Sequence, residues 1–281
     1  MEHRLYNIEN NQNGYREILQ VYNKLTQFKD QSHTIRIERW FDANMCAVLG
    51  ALVEDIPDVK FEISEDDIQN VFSRNGFVAH CDFPAQPDTW HTTIPYIRIP
   101  AQNYVTDLKS YLPMLTRSDG FPNITKALEK KIFENIAELF ENANLHSHSS
   151  YIFSCGQYKP KTKVLYFTVV DRGMGFLQSV GSFDKSVRTH SEAIDWALKE
   201  GNSTKEHHSG GLGLTLLQNF IKKNGGRMTI ISGNCFYMVE PEHSWKKLIY
   251  PFPGSVISLK FNSDDPATYC LPEEIPDNFP F

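Results

Sequence analysis

Residues 125–146 constrain the fold of this chain more than any other stretch. Leu128, Ile132, Ile136, Leu139 and Ala143 recur at helical spacing on one stripe, which predicts a long amphipathic helix whose apolar face must be covered. Two runs of strand-forming residues follow, 151–154 and 164–170, around a Lys/Pro/Gly turn, and they read as paired strands. A one-faced helix beside a strand pair closes as a sheet covered by helices. Downstream, a helix is expected over 191–200 and another over 214–223, the latter closed by Asn224-Gly225-Gly226. Strands are expected over 227–232 and 256–261.

The first 110 or so residues also alternate between β and α. Ile18, Leu19, Tyr22 and Leu25 mark a helix over 15–29, and 34–40 alternates as a strand. Residues 42–53 are small and apolar enough for a buried helix. A short strand over 60–63 precedes a helix over 65–74, for which Ser64 is the expected cap. A strand over 96–99 and a helix over 104–111 complete this half. The Gly/Pro/polar stretch 117–123 is the expected boundary. The fold class is thus α/β (α+β): a β/α unit over 1–115, a second α/β unit over 116–262, and a Pro- and acid-rich tail over 263–281, expected to be loosely held.

Bulk properties exclude several classes. The chain has 281 residues, is 41% hydrophobic and 22% charged, and carries a formal net charge of −6, which fits an ordinary globular protein. No basic cluster suits a nucleic-acid backbone. Residues 1–4 read Met-Glu-His-Arg and the sequence then turns polar, with no apolar leader core, and no run approaches the roughly 18 apolar residues of a membrane helix. No nucleic acid, no membrane and a cytoplasmic location are expected. The five cysteines, Cys46, Cys81, Cys155, Cys235 and Cys270, are scattered and never form a Cys-x-x-Cys pair, which reads as reduced thiols rather than a zinc site.

Three segments carry the chemistry. On the long helix, Glu138 and Asn142 are four apart and share a face, and His146 follows one turn on. A carboxylate and an amide oxygen on one face suit a hard cation such as Mg²⁺. The second segment ends a β-run in Asp171 and then places Gly173 and Gly175. A strand-end carboxylate can accept from an exocyclic amine, and glycines let backbone approach a flat ligand. The third, Ser209-Gly210-Gly211-Leu212-Gly213-Leu214, feeds a glycine run into an apolar helix, a helix start suited to phosphate. Taken singly, each has a plain structural explanation: a solvated polar stripe, a turn after a strand, a capped loop. The adjacent His207 and His208 read as solvated, and Trp196 reads as core.

The order of the three segments resembles the GHKL (Bergerat-fold) ATPases, which include gyrase, a large heat-shock chaperone and histidine kinases. Residues 138–146 look like that family's N-box, 171–175 match its Asp-x-Gly-x-Gly box, and 211–214 match its Gly-x-Gly-Leu box. Residues 201–205 are similar to the stretch before the family's lid. Gly254-Ser255 resembles its Gly-Thr pair, with Ser255 in place of the threonine. The resemblance implies a Bergerat-type sandwich, a mixed sheet covered by helices, with ATP and Mg²⁺ as cofactors. It implies that Asn142 ligates Mg²⁺, that Asp171 bonds the adenine amine and selects ATP over GTP, and that Gly173 and Gly175 shape the adenine slot. Gly210, Gly211, Leu212, Gly213 and Leu214 would lie along the phosphates, with His146, Lys205 and Ser255 as further nucleotide contacts. The loop over about 177–210 would be the lid, and Glu138 the general base or water-orienting group.

Two classes of function remain open on this reading. One is an ATPase or protein-kinase-like enzyme using Glu138. The other is a low-turnover, nucleotide-gated interaction module of the anti-sigma or scaffold type. An autophosphorylating histidine kinase is disfavoured, because His3, His33, His80 and His91 are not on long amphipathic helices. The strand and small apolar helix over 35–53 resemble STAS-type domains, so a regulatory or interaction role is expected for the N-terminal half, with a protein partner or substrate and a homodimer both compatible.

Overall fold

The computed structural model describes residues 1–145, 149–202, 213–239 and 242–275. The chain opens with β1 (Glu2–Ile8), α1 (Gln12–Gln27), β2 (His33–Phe41), α2 (Cys46–Val53), β3 (Val59–Ile63) and α3 (Asp66–Asn75). The strands form a parallel sheet in the order β1-β2-β3, with Leu5 opposite Ile37 and Ile35 opposite Phe61. These four side chains are buried, whereas Arg4, Tyr6 and Glu62 are exposed, so only one face of the sheet is covered. Strand β1 corrects the reading of the N-terminus as merely polar: His3, Leu5 and Ile8 turn inward from an otherwise polar edge strand. Ser64 is not the cap of α3. Glu65 occupies that position, without a side-chain cap bond, and Asp66 and Asp67 in the first turn suit the helix dipole.

The remaining elements are β4 (Thr93–Pro100), α4 (Tyr104–Thr116), α5 (Lys126–Leu145), β5 (Tyr151–Lys159), β6 (Val164–Asp171), α6 (Gly175–Phe183), α7 (His190–Leu198), α8 (Gly213–Lys223), β7 (Arg227–Val239) and β8 (His243–Asn262). Five strands form one sheet in the order β4-β5-β6-β8-β7. Every neighbouring pair in it is antiparallel, where a mixed sheet was expected. Alternating apolarity identifies strands but is blind to their direction. The α+β class itself is borne out. The structure also crosses the expected boundary near 115: β4 pairs with β5, and Leu108, Tyr111, Leu112 and Leu115 of α4 share a core with α5.

Both faces of this sheet are buried. Leu165, Phe167 and Val169 of β6 turn toward α5 and α8, and Val170 turns toward α1 and α2 with Phe153 and Cys155 of β5. Helices α1, α2 and α3 therefore lie between the two sheets, and all eight residues of α2 are buried. Each fully buried Leu or Ile along the α5 stripe contributes roughly 1.5–3 kcal/mol. Polar groups also cross this layer. Asn10 Nδ2 donates to Ser258 Oγ at 2.7 Å, Tyr15 donates to Asn10 Oδ1 at 3.0 Å, and Asn44 Nδ2 donates to Thr168 Oγ1 at 2.9 Å. Lys159 pairs with the buried Asp42.

Two further expectations are corrected. The tail is held as far as residue 275: Tyr269 bridges Ile124, its ring lies 5.3 Å from that of Phe220, and Thr125 Oγ1 donates to Glu274 at 2.6 Å. Apolar Tyr269 and Leu271 within the polar tail explain the docking. Trp196 is half-buried rather than core, edge-on to the exposed Phe183 at 5.7 Å. Among the described residues no helix is long and apolar enough to cross a membrane.

His3 and His33 form a buried pair at the start of the parallel sheet, with His3 Nε2 and His33 Nδ1 3.0 Å apart. His33 Nε2 lies 3.0 Å from the Phe28 carbonyl and must donate to it, so neutral His33 accepts from His3 through Nδ1. Burial, then the nearby His33, Lys24 and N-terminal amine, push the His3 pKa below the ordinary histidine value. The unfolded chain therefore takes up the proton more readily, so the stability from this pair is present above the ordinary histidine range and is lost as pH falls through and below it. Unfolding free energy from urea titrations should drop between about pH 7.5 and 5.5. His3→Gln should shrink that drop without abolishing it, because burial lowers His190 and His243 as well; an unchanged pH slope in the variant would remove His3 from the account.

Candidate functional site

Helices α5 and α8, which carry the described residues of two motif segments, lie on one face of the five-stranded sheet, and Asp171 of the other ends β6 within it. Helix α5 begins where β6 begins: Thr125 N donates to Tyr269 O at 2.9 Å, and Phe121 packs on Phe261, which sits opposite Leu165. Its twenty residues span about 30 Å, so its C-terminal half, with Glu138 and Asn142, reaches the end where β6 finishes at Asp171. Just beyond α5, Ser149 Oγ accepts from Arg172 N at 3.1 Å. Helix α8 runs antiparallel to its neighbouring strand β7. Its C-terminal end is pinned to the far edge by Asn224, which donates to Asn262 O at 2.8 Å and accepts from Asn262 N at 2.7 Å. Its first residue, Gly213, therefore faces back toward the Asp171 end. Helices α5 and α8 pack against each other.

Asp171 is the best-defined member. It is 7% exposed and sits opposite Ser255 in the β6–β8 register. Gly173 N donates to Asp171 Oδ1 at 2.9 Å, and the Ser255 hydroxyl donates to Oδ2. Charge-assisted bonds of this kind orient a carboxylate firmly. Glycine is demanded at two points around it, one after Asp171 and one in β8. Gly175 has φ +70°, and a Cβ there would lie 2.6 Å from Ser232 Oγ. Ser232 Oγ in turn accepts from Phe176 N at 2.9 Å, fixing the start of α6. Gly254 has φ +127°, and a Cβ would lie 2.1 Å from the Asp171 carbonyl oxygen. The two chains approach so closely that no side chain fits between them.

The other expected residues divide. Glu138 and Asn142 are half-buried on α5, on a different face from the buried stripe of Leu128, Ile132, Ile136 and Leu139. Ser255 joins Asp171 directly. The half-buried Leu214 packs against the α5–α8 core, as an apolar residue in the first turn of a core helix does. His146, Lys205, Gly210, Gly211 and Leu212 lie outside the described residues, as do His207 and His208. The expected lid over 177–210 is not one loop: α6 and α7 fill much of it, and α7 starts with a capping box in which Thr189 accepts from Glu192 N at 3.2 Å.

The sequence reasoning missed three neighbours of the site. Ser149 and Ser232 brace the turn, and His190 packs on Gly233, where a Cβ would lie 2.1 Å from its ring. Single serines and a lone histidine far away in the chain carry no signal for such contacts. Arg172 leaves the turn on the opposite face, pairing with Asp55 and donating to the Tyr22 hydroxyl at 3.2 Å, which ties the turn to α1 and the end of α2. Among the described residues no group of three or more His, Cys, Asp and Glu side chains is placed to hold a metal. Glu138 and Asn142, one turn apart on α5, offer a carboxylate and an amide oxygen, a pair suited to a hard cation completed by water and phosphate.

Gly254→Ala should lower stability by about 2 kcal/mol or more, since backbone must move. Gly225→Ala, at φ +66° with no neighbour closer than 3.9 Å, should cost only about 1 kcal/mol. Urea midpoints compare the two, and equal losses would show that the close approach beside Asp171 is not tight. Compared with models of known protein families the chain matches none, and compared with curated proteins it also has no match.

Proposed function

We propose that this chain binds Mg-ATP in a GHKL-like pocket at the Asp171 end of the five-stranded sheet. The observation that carries the reading is the braced Asp171 carboxylate, buried at a strand end beside two glycines that exclude side chains. In this proposal Asp171 accepts from the adenine amine, and the half-open turn at Gly173 and Gly175 takes the base. The start of α8 at Gly213 would present the positive end of a helix dipole to phosphate. Asn142 would hold Mg²⁺, which when bound supplies charge neutralisation for the phosphates, and Glu138 one turn before it would act as base or orient water. Ser255 keeps Asp171 oriented. The protein would act in the cytoplasm as an ATPase or protein-kinase-like regulator toward a protein partner. The N-terminal β/α layer would be its regulatory or interaction unit.

Nucleotide titration by calorimetry, with and without Mg²⁺, tests the reading. Asp171→Asn should weaken ATP binding by at least tenfold, because an oriented acceptor is replaced by an amide that can present N–H to the amine. Asn142→Ala should remove most of the Mg²⁺ enhancement. Unaltered affinity in the first variant, or equal Mg²⁺ enhancement in the second, would overturn the corresponding role.

A second reading, a nucleotide-gated module with little turnover, is favoured by the Arg172 link from the site to Tyr22 and Asp55. Such a link lets occupancy of the site bias the N-terminal layer whether or not phosphate is transferred. Glu138→Gln separates the two. If Glu138 is a base, phosphate release should fall by about 10²–10⁴-fold while ATP binding persists; an unchanged slow rate leaves the module.

A further inference from the structure

Away from the nucleotide-type site, a groove of about 560 Å³ opens between β1, α1 and the first part of β8. Its walls come from three separate stretches of chain. Arg16, Gln20 and Lys24 lie at i, i+4 and i+8 on one ridge of α1, Arg4 comes from β1, and Tyr250 with the exposed Ile249 comes from β8. Glu17 is the one acid among the lining residues. Arg4 shares Glu2 with Arg36, at 3.3 and 3.4 Å. Arg16 and Lys24 take part in no ion pair among the described residues. On a chain of net charge −6, a helix ridge normally interleaves acids with such cations. Here the guanidiniums of Arg16 and Arg4, the Lys24 ammonium and the Gln20 amide converge on a concavity.

We propose that this groove binds a small organic polyanion, a phosphorylated or polycarboxylate metabolite. The volume lies in the range of small-molecule sites, roughly 300–1,000 Å³, and is too confined for a nucleic-acid duplex. Guanidinium groups on facing walls suit planar, multi-oxygen anions by paired N–H donation. Tyr250 and Ile249 offer apolar contact to the body of the ligand, so a bare inorganic ion would engage only part of the site. Buried His3 stands behind the cations with a lowered pKa and is neutral near pH 7, so Arg4, Arg16 and Lys24 supply the charge. The groups facing them are Glu17 on α1, Glu2 on β1 and the N-terminal amine. Attraction by such exposed charges falls off over a Debye length of about 10 Å at 0.1 M salt, so binding is salt-sensitive.

Calorimetric titration of the full chain with citrate and with pyrophosphate at low salt tests this directly. Saturable one-to-one binding is expected for at least one probe. It should weaken at least tenfold in Arg16→Glu/Lys24→Glu, weaken less in Arg16→Gln/Lys24→Gln, and be unchanged in Gly213→Asp, which sets a carboxylate at the helix start proposed for the phosphates of ATP. The last arm keeps the groove apart from the proposed ATP pocket: loss of pyrophosphate binding in Gly213→Asp alone would assign the probe there and overturn the groove. So would absence of saturable binding of both probes, equal affinity in the charge-reversed chain with its circular dichroism intact, or binding of a poly-glutamate peptide but of neither small anion.

Discussion

The structure depends on burying both faces of one antiparallel sheet. Strand β6 shows the constraint most clearly: Leu165, Phe167 and Val169 enter one core while Val170 enters the other. An antiparallel sheet commonly leaves one face to water. This one cannot, because Phe153, Cys155, Ile231, Phe252 and Val256 would then be exposed together. The N-terminal β/α layer is therefore a structural requirement of the C-terminal sheet as well as a unit with a sheet of its own. Helix α2 is buried along its whole length, whereas α1 and α3 bury one face and turn a polar one outward.

Within that apolar layer a few polar groups specify register. Thr168 and Ser258 project from the sheet and meet Asn44 and Asn10. A slip of one residue would strand these groups in a dry interface, at a cost of about 1–3 kcal/mol for each unsatisfied partner. The network thereby couples the two halves more specifically than hydrophobic contact alone. Arg172 adds a connection at the rim, beside the turn that follows Asp171. Any ligand-driven movement of that turn would be felt by α1 and α2 through Tyr22 and Asp55.

The candidate site gathers where three kinds of chain end meet: the finish of a strand, the last turns of one helix and the first turn of another. Such ends carry backbone groups not used by regular structure. Two glycines keep the turn thin, and two serines, Ser232 and Ser255, hold it from the neighbouring strands. The brace on Asp171 is assembled from residues 84 positions apart, a distance in sequence that only the β6–β8 pairing closes.

Local pattern was enough to read most of the elements. The stripe on α5, the period-two runs of β5, β6 and the end of β8, and the Asn-Gly-Gly stop after α8 are each written within a few residues. Asp171 with its two following glycines was legible for the same reason. What local pattern could not carry was anything set by partners distant in the chain. Edge strand β1 looks polar until β2 lies beside it. Strand β4 sits before the Gly/Pro stretch yet pairs beyond it. Helix α6 hid in an expected loop, and the tail looked loose because its anchors, Ile124 and Phe220, are elsewhere. Strand direction, the layer order and the bracing serines were decided by tertiary structure alone, because a side chain's period reports which face it takes but not what lies against that face.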